Sequence, residues 1–295
     1  AMCTYQRPAD AARSLAALAA QDLRPELVVV VDNGSDPGTR ASVISSPLSV
    51  RYVDPGANLG PAGGFHRALR ELVEADDDDV VLFLDDDDPL PDDPTLVASL
   101  RDRLRADDEG GRLAGVALRG GALDERTGIV ASRPGTGEGL VGADHLHGCA
   151  FPLYRVGPLR RTDAFDPALF WGFEELAAGR RLLDDGYELG VDAELLAPLV
   201  EDREKFRRSG PTRRLAAPSW RHYYRHRNLL RVLRRERAWR AIATTVVVRL
   251  LAKPLVHLPV QPRRAWWHLR TNLAAIRAGL GAERRMTADS AHRPT

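Results

Sequence analysis

Four aspartates follow directly on an apolar run in "VVLFLDDDDPLPDD", residues 80–93. Ionised carboxylates this close repel one another and require a positive partner. On an extended strand Asp85 and Asp87 would share a face, about 6.6 Å apart along the chain, with Asp86 turned away. Such a pair suits a hard divalent cation, Mg²⁺ or Mn²⁺, which keeps several waters and bridges to substrate phosphates. An EF-hand is excluded, because its glycine and closing glutamate are missing. A second run, residues 76–79, precedes the same strand and reads as a solvated acidic loop. Another pair of carboxylates, Glu174 and Glu175, opens "EELAAGRRLLDDGYELG". By itself that pair reads as a favourable charge in the first turn of a helix, contributing about 0.3–1 kcal/mol.

The elements that must position these groups alternate. "AARSLAALAAQDL" has apolar residues at helical spacing, "ELVVVVDNGSD" is a β-branched run closed by turn formers, and "VRYVDP" is a short strand. "NLGPAGGFHRALRELVEA" reads as a glycine-rich turn feeding a helix, and "DVVLFLDDDD" as another strand. Cys3 and Thr4 read as the close of a first strand. This order predicts an α/β domain with a largely parallel sheet, whose ligands gather at the carboxyl ends of strands. The polar motifs at 4–7, 32–35, 58–64 and 85–88 all fall at such ends. "HGCAFPLYRVGP" continues with a strand, and Gly186 closes the helix that begins near Glu174. Within 295 residues, 44% of them hydrophobic, there is material for one large core or a domain with an appendage. The charged, proline-punctuated stretch 201–219 marks the boundary, giving a domain at 1–215 and a helical, basic region at 216–295 with a disordered tail.

The net charge of +1 hides an asymmetry. Residues 74–109 hold 15 acidic side chains against 3 arginines, whereas residues 221–285 hold 16 basic against 2 acidic. The basic end mixes arginine with tryptophan, leucine and valine. Its apolar stretch from Ala241 to Val260 is interrupted by Arg249, Lys253, Pro254, His257 and Pro259, which disfavours a spanning helix and favours an interfacial one on an anionic membrane. Two cysteines, Cys3 and Cys149, are too few for a disulfide framework or a zinc site, and "AMCTYQRP" carries no charged leader with an apolar stretch. Both point to the cytoplasm, and the basic interfacial end adds a peripheral position at the inner face of the plasma membrane.

Together, "TYQRP", "VVDNGSD", "NLGPAGGF", "LFLDDDDPLP", the glutamate pair and "YYRHRN" resemble the inverting family-2 glycosyltransferases of GT-A fold. The likeness is greatest to the branch of bacterial rhamnosyltransferases and galactofuranosyltransferases of cell-wall assembly, and covers about residues 3–230. The resemblance implies a nucleotide-diphosphate sugar donor, UDP- or dTDP-linked, and a lipid-linked or polysaccharide acceptor. It implies that Thr4 and Asp32 hold the base, with Arg7, Asn58 and Gly60 nearby. Asp85 and Asp87 match the DxD positions, Asp87 as direct metal ligand and Asp85 as ribose or metal contact. Glu175, beside Glu174, matches the general base that takes the acceptor's proton.

The sequence departs from that pattern in two places. Ala177 replaces a second acid of the helix motif, and Pro198 to Val200 stand where a histidine metal ligand is expected, leaving Glu201, Asp202 or His222 as substitutes. Weaker features remain. Trp171, with Phe170, stacks on an acceptor sugar or packs a core. His147, with His145, faces acceptor or phosphate, without zinc spacing. Arg227 in "YYRHRN" contacts donor phosphates or lies on a surface helix. The alternatives are a donor-binding, catalytically silent scaffold and a sugar nucleotidyltransferase; nucleic acid is not an expected partner, and oligomeric state is not legible.

Overall fold

The computed structural model describes residues 1–106, 110–133, 139–196 and 215–281. Their contacts divide into two compact units, described in turn. The first comprises the described residues within 1–122, 132–170 and 174–207, and the second those within 123–131, 171–173 and 208–295.

In the first unit the chain runs β1 (Met2–Thr4), α1 (Pro8–Ala19), β2 (Val28–Asp32), α2 (Pro37–Ile44), β3 (Val50–Val53), α3 (Gly60–Glu71), β4 (Val80–Leu82), β5 (Leu84–Asp85) and α4 (Leu96–Ala106). It continues with β6 (Leu113–Ala117), β7 (Gly120–Asp124) and β8 (Ile129–Arg133), whose residues within 123–131 count with the second unit, then β9 (Leu140–Gly142), β10 (His145–Leu146), β11 (Leu153–Arg155), α5 (Val156–Arg161), α6 (Glu174–Asp184), β12 (Glu188–Asp192) and α7 (Ala193–Leu196). Proline at the start of α1 fits a position whose N–H has no helical partner, and Ala11, Ser14, Leu15 and Leu18 form its buried stripe. Every residue of β2, "VVVVD", is buried, as expected of a strand covered on both faces.

One sheet has the order β3-β2-β1-β5 and is wholly parallel. A second, β4-β11-β6-β12-β9, is mixed, with β12 parallel to β6 and the other pairs antiparallel. The single strand expected over residues 79–88 is therefore split at Phe83. β4 belongs to the second sheet, and β5 pairs with β1 in the first. Phe83 anchors the crossing between aromatic neighbours, with ring centroids 5.1 Å from Phe65, 5.9 Å from Tyr154 and 4.9 Å from Phe165. The crossing sets Asp85 opposite Cys3, while Thr4 lies opposite Asp32. Three strand ends thus converge.

The second unit is helical: α8 (Trp220–Arg235), α9 (Trp239–Thr244), a π-helical turn at Thr245–Ala252, α10 (Lys253–Val256) and α11 (Pro262–Leu280). α8 packs on α11, where His222 Nε2 lies 2.7 Å from Asn272 Oδ1 and 3.2 Å from His268 Nδ1. Among the described residues, no helix is long and apolar enough to cross a membrane.

Candidate active site

At the end of β5 the backbone turns instead of remaining extended, since the Asp88 N–H approaches the Asp85 carbonyl at 3.4 Å. The alternation expected through Asp85–Asp87 stops at Asp85, and Asp86 faces inward. Asp86 is buried, accepts from the Thr4 hydroxyl at 2.9 Å, and its carbonyl accepts from the Ser14 hydroxyl at 2.8 Å. The positive partner demanded by the run comes from the chain itself. Arg7 Nη1 lies 3.1 Å from Asp86 and 2.8 Å from Asp87. Burial raises the Asp86 carboxyl above its usual value, while the Thr4 bond and the Arg7 charge oppose that rise and Asp87 adds to it.

Asp32 is fully buried at the end of β2. Its Oδ1 accepts from the Gly34 N–H at 2.9 Å, and its Oδ2 from the Asp36 N–H at 3.0 Å and the Tyr52 hydroxyl at 2.8 Å. These three protein donors hold Asp32 in the turn that follows β2. Beyond that turn lies a cavity of about 340 Å³ lined by Ser35, Asp36, Pro37, Arg40, Tyr52 and Asp54.

Two glycines of "NLGPAGGF" are closely approached by protein atoms. Gly60 has φ +66°, and a Cβ there would lie 2.1 Å from the Phe170 carbonyl oxygen; one at Gly64 would meet Cys3 Sγ. Asn58 is exposed and caps the turn by accepting from the Gly60 N–H at 2.9 Å.

Glu174 and Glu175 occupy the first turn of α6, as the helix reading requires, yet Glu175 points away from its own helix end. Its Oε1 accepts from the Gly148 N–H at 2.6 Å, across 27 residues of chain. A Cβ built on Gly148 would lie 2.6 Å from Glu175 Oε1 and 3.6 Å from Asp85 Oδ2, so these two carboxylates border the same small space. Burial, then the charges of Glu174 and Asp85, push the Glu175 carboxyl up to about 8, against the Gly148 hydrogen bond. The same surroundings keep both thiols protonated: burial, helped by Glu175, Asp85 and Asp88, raises Cys149 to about 12, and burial raises Cys3.

His147 and His145 lie in or beside β10 with rings 4.9 Å apart. Burial lowers both, His145 to about 3, so both are neutral at ordinary pH. Trp171 and Arg227 belong to the second unit. There Trp171 packs edge to face with Trp220 at 5.6 Å beneath the Arg221 guanidinium at 5.2 Å. Arg227 is buried, lies over the Tyr224 ring at 4.7 Å, and donates through Nε to Asn228 Oδ1 at 2.8 Å. A surface location for Arg227 is therefore corrected to an interior one. His222 is engaged within the same unit by Asn272 and His268, whereas Pro198 to Asp202 lie outside the described residues.

Sequence reasoning missed Gly148 as the holder of Glu175, and missed the backbone around the site. Gln6, Ser35, Phe151, Phe170 and Phe173 all have positive φ without being glycine, and each lies within a few residues of a site group. Such strain collects where surrounding structure holds functional side chains in place. Within the second unit Asn228, the last residue of "YYRHRN", donates to the carbonyls of Trp171 at 2.9 Å and Gly172 at 2.7 Å.

Residues 1–133, which carry Thr4, Arg7, Asp32, Asp85 and Asp87, match the model of glycosyl transferase family 2. Galactofuranosyltransferase GlfT1 of Mycobacterium tuberculosis is 31% identical over 217 residues, 68% of this chain and 70% of that protein. The chain belongs to glycosyl transferase family 2. GlfT1 of Mycolicibacterium smegmatis, 29% identical over 218 residues, covers a similar share: 68% of this chain and 71% of its own. Among solved structures, S. aureus TarS (residues 1–349) aligns with a TM-score of 0.51 and 14% identity over 94% of this chain and 79% of its own. GalNAc-T7, solved with UDP, GalNAc and Mn²⁺, aligns at 0.52 and 12% identity over 65% of this chain and 41% of its own. These two likenesses bear on fold alone and agree with a GT-A-like α/β glycosyltransferase domain. The family match ends before α6, so Glu174 and Glu175 rest on geometry and on the earlier resemblance.

Proposed function

We propose that this family-2 glycosyltransferase transfers galactofuranose, with inversion, from a nucleotide-diphosphate donor to a lipid-linked or polysaccharide acceptor of the cell envelope. The single observation that carries the reading is Glu175: a half-buried carboxylate with a raised proton affinity, aimed by the Gly148 N–H and bordering the same space as Asp85. An inverting transfer needs one such base. The acceptor oxygen forms its bond to the anomeric carbon as the bond to the diphosphate breaks, and the acceptor's proton passes to Glu175. Arg7, half-exposed beside Asp87, is placed to meet a donor phosphate when its pair with Asp87 opens. The name of the curated relatives supports galactofuranose over rhamnose.

The donor set fits a hard cation in chemistry, since Asp85 and Asp87 offer only carboxylate oxygens. Among the described residues no group of three or more histidine, cysteine or carboxylate side chains stands at metal-holding distance. Two carboxylates suffice for Mn²⁺ or Mg²⁺ that completes its shell with water and diphosphate oxygens. When bound, the ion neutralises charge on the departing diphosphate. The basic helices within residues 220–280 bring the enzyme to the cytoplasmic face of the membrane, where a lipid-linked acceptor resides.

The test is incubation of the full chain with Mn²⁺, a panel of UDP- and dTDP-sugars including UDP-galactofuranose, and a polyprenyl-pyrophosphoryl glycan acceptor. Product with inverted anomeric configuration by NMR is expected. A retained configuration, or no product from any donor, overturns the proposal.

A further inference from the structure

Within the second unit, the segment "LVHLPV", residues 255–260, turns four aliphatic side chains to solvent: Leu255, Val256, Leu258 and Val260 are 53, 74, 40 and 78% exposed. Trp266, on the first turns of α11, is 61% exposed. The backbone of this protrusion satisfies itself by consecutive turns, with the N–H groups of His257, Leu258, Val260 and Gln261 donating to Pro254, Leu255, His257 and His257 again. A self-satisfied backbone carrying outward aliphatic groups is what a weakly hydrated environment tolerates. Cations flank it on both sides, Lys253 before and Arg263 and Arg264 after, and the last two line a concavity of about 370 Å³ with Gln261 and Pro262. From Arg237 to Gly281 the sequence has eight basic residues and no acidic one.

This combination selects its occupant. Water leaves the aliphatic groups exposed. A second copy packed through the same patch would set Lys253, Arg263 and Arg264 against their own images with no carboxylate between them. A nucleic acid answers the cations and ignores the aliphatics. A bilayer with acidic headgroups answers both, receiving the aliphatic turn and Trp266 at the acyl boundary and placing lipid phosphates beside the arginines.

We infer that residues 253–266 form the membrane-docking element of this protein, with the 255–260 turn entering the interface of an anionic bilayer. The inference rests on the membrane-facing reading above and is independent of the transfer chemistry. It is tested by flotation of the full chain with vesicles of phosphatidylcholine alone or containing about one third phosphatidylglycerol. Wild type floats with the anionic vesicles only, and less at high salt. Val256→Asp/Val260→Asp and Arg263→Glu/Arg264→Glu, all at exposed positions, each weaken binding roughly tenfold or more with unchanged thermal melts. Transfer to a soluble acceptor, run on the same samples, is unchanged in both variants. Absence of wild-type flotation, equal binding by the aspartate variant, or a dimer in light scattering that these substitutions dissolve overturns the inference. Intact anionic flotation with no transfer by wild type supports the docking element and counts against the transfer reading alone.

Discussion

Replacing Glu175 with glutamine should abolish transfer and, at alkaline pH, stabilise the fold. The reasoning starts from the carboxyl's surroundings: burial and the charges of Glu174 and Asp85 hold it at about 8, against an ordinary value of 4.5. Below pH 4.5 the folded and unfolded chains both keep this proton, and Glu175 makes no difference to stability. Between 4.5 and about 8 the unfolded chain releases the proton while the folded chain retains it, so stability falls as pH rises. Above about 8 the full cost is present. At about 1.4 kcal/mol per pH unit it is on the order of 3–5 kcal/mol. Glutamine has the same shape, accepts the Gly148 N–H through its amide oxygen and carries no charge. The variant is expected to match wild type near pH 4 and to exceed it near pH 9 by roughly 3 kcal/mol, which for a chain of this size raises Tm by about 6 °C or more. Urea titrations at several pH values, with transfer measured on the same protein, read both effects. A variant less stable than wild type at high pH, or a gap that does not grow with pH, refutes the reasoning.

Other substitutions probe separate contacts. Gly148→Ala puts a Cβ 2.6 Å from Glu175 Oε1, forcing the carboxylate to retreat by roughly half an ångström. Steady-state kinetics should show kcat reduced about 10-fold with donor affinity unchanged, since a shift of ~1 Å costs about 10²-fold. Gly60→Ala combines φ +66° with a Cβ 2.1 Å from the Phe170 oxygen, so thermal melts should show a loss of more than about 3 kcal/mol or no folded protein. Arg7→Ala strips the positive partner from Asp86 and Asp87. It should cost about 1–2 kcal/mol in chemical denaturation, and calorimetry should show tighter binding of Mn²⁺ alone, because the guanidinium no longer competes for Asp87.

Much of the first unit could be read directly because its signals are local. The buried run "VVVVD" and the alanine–leucine stripe of α1 announce their elements, and the polar groups at 4–7, 32–35 and 85–88 fall at strand ends that the first sheet brings together. What escaped was long-range. Arg7 reaches Asp86 across 79 residues and Gly148 reaches Glu175 across 27, and neither spacing leaves a periodic trace. The break at Phe83 was hidden because a continuous apolar run looks the same whether it serves one sheet or two. The hydrogen bonds that hold Asp32 left no trace in the sequence either. Its three protein donors include Tyr52, 20 residues away, which only the fold brings near.

The most direct test of the central claim, that Asp85 and Asp87 serve a metal-bound sugar diphosphate, is calorimetric titration of UDP into wild type and Asp87→Ala with and without Mn²⁺. Tight binding by wild type only in the presence of Mn²⁺, weakened roughly 100-fold in the variant, is predicted. Equal UDP affinity in all four titrations would contradict it.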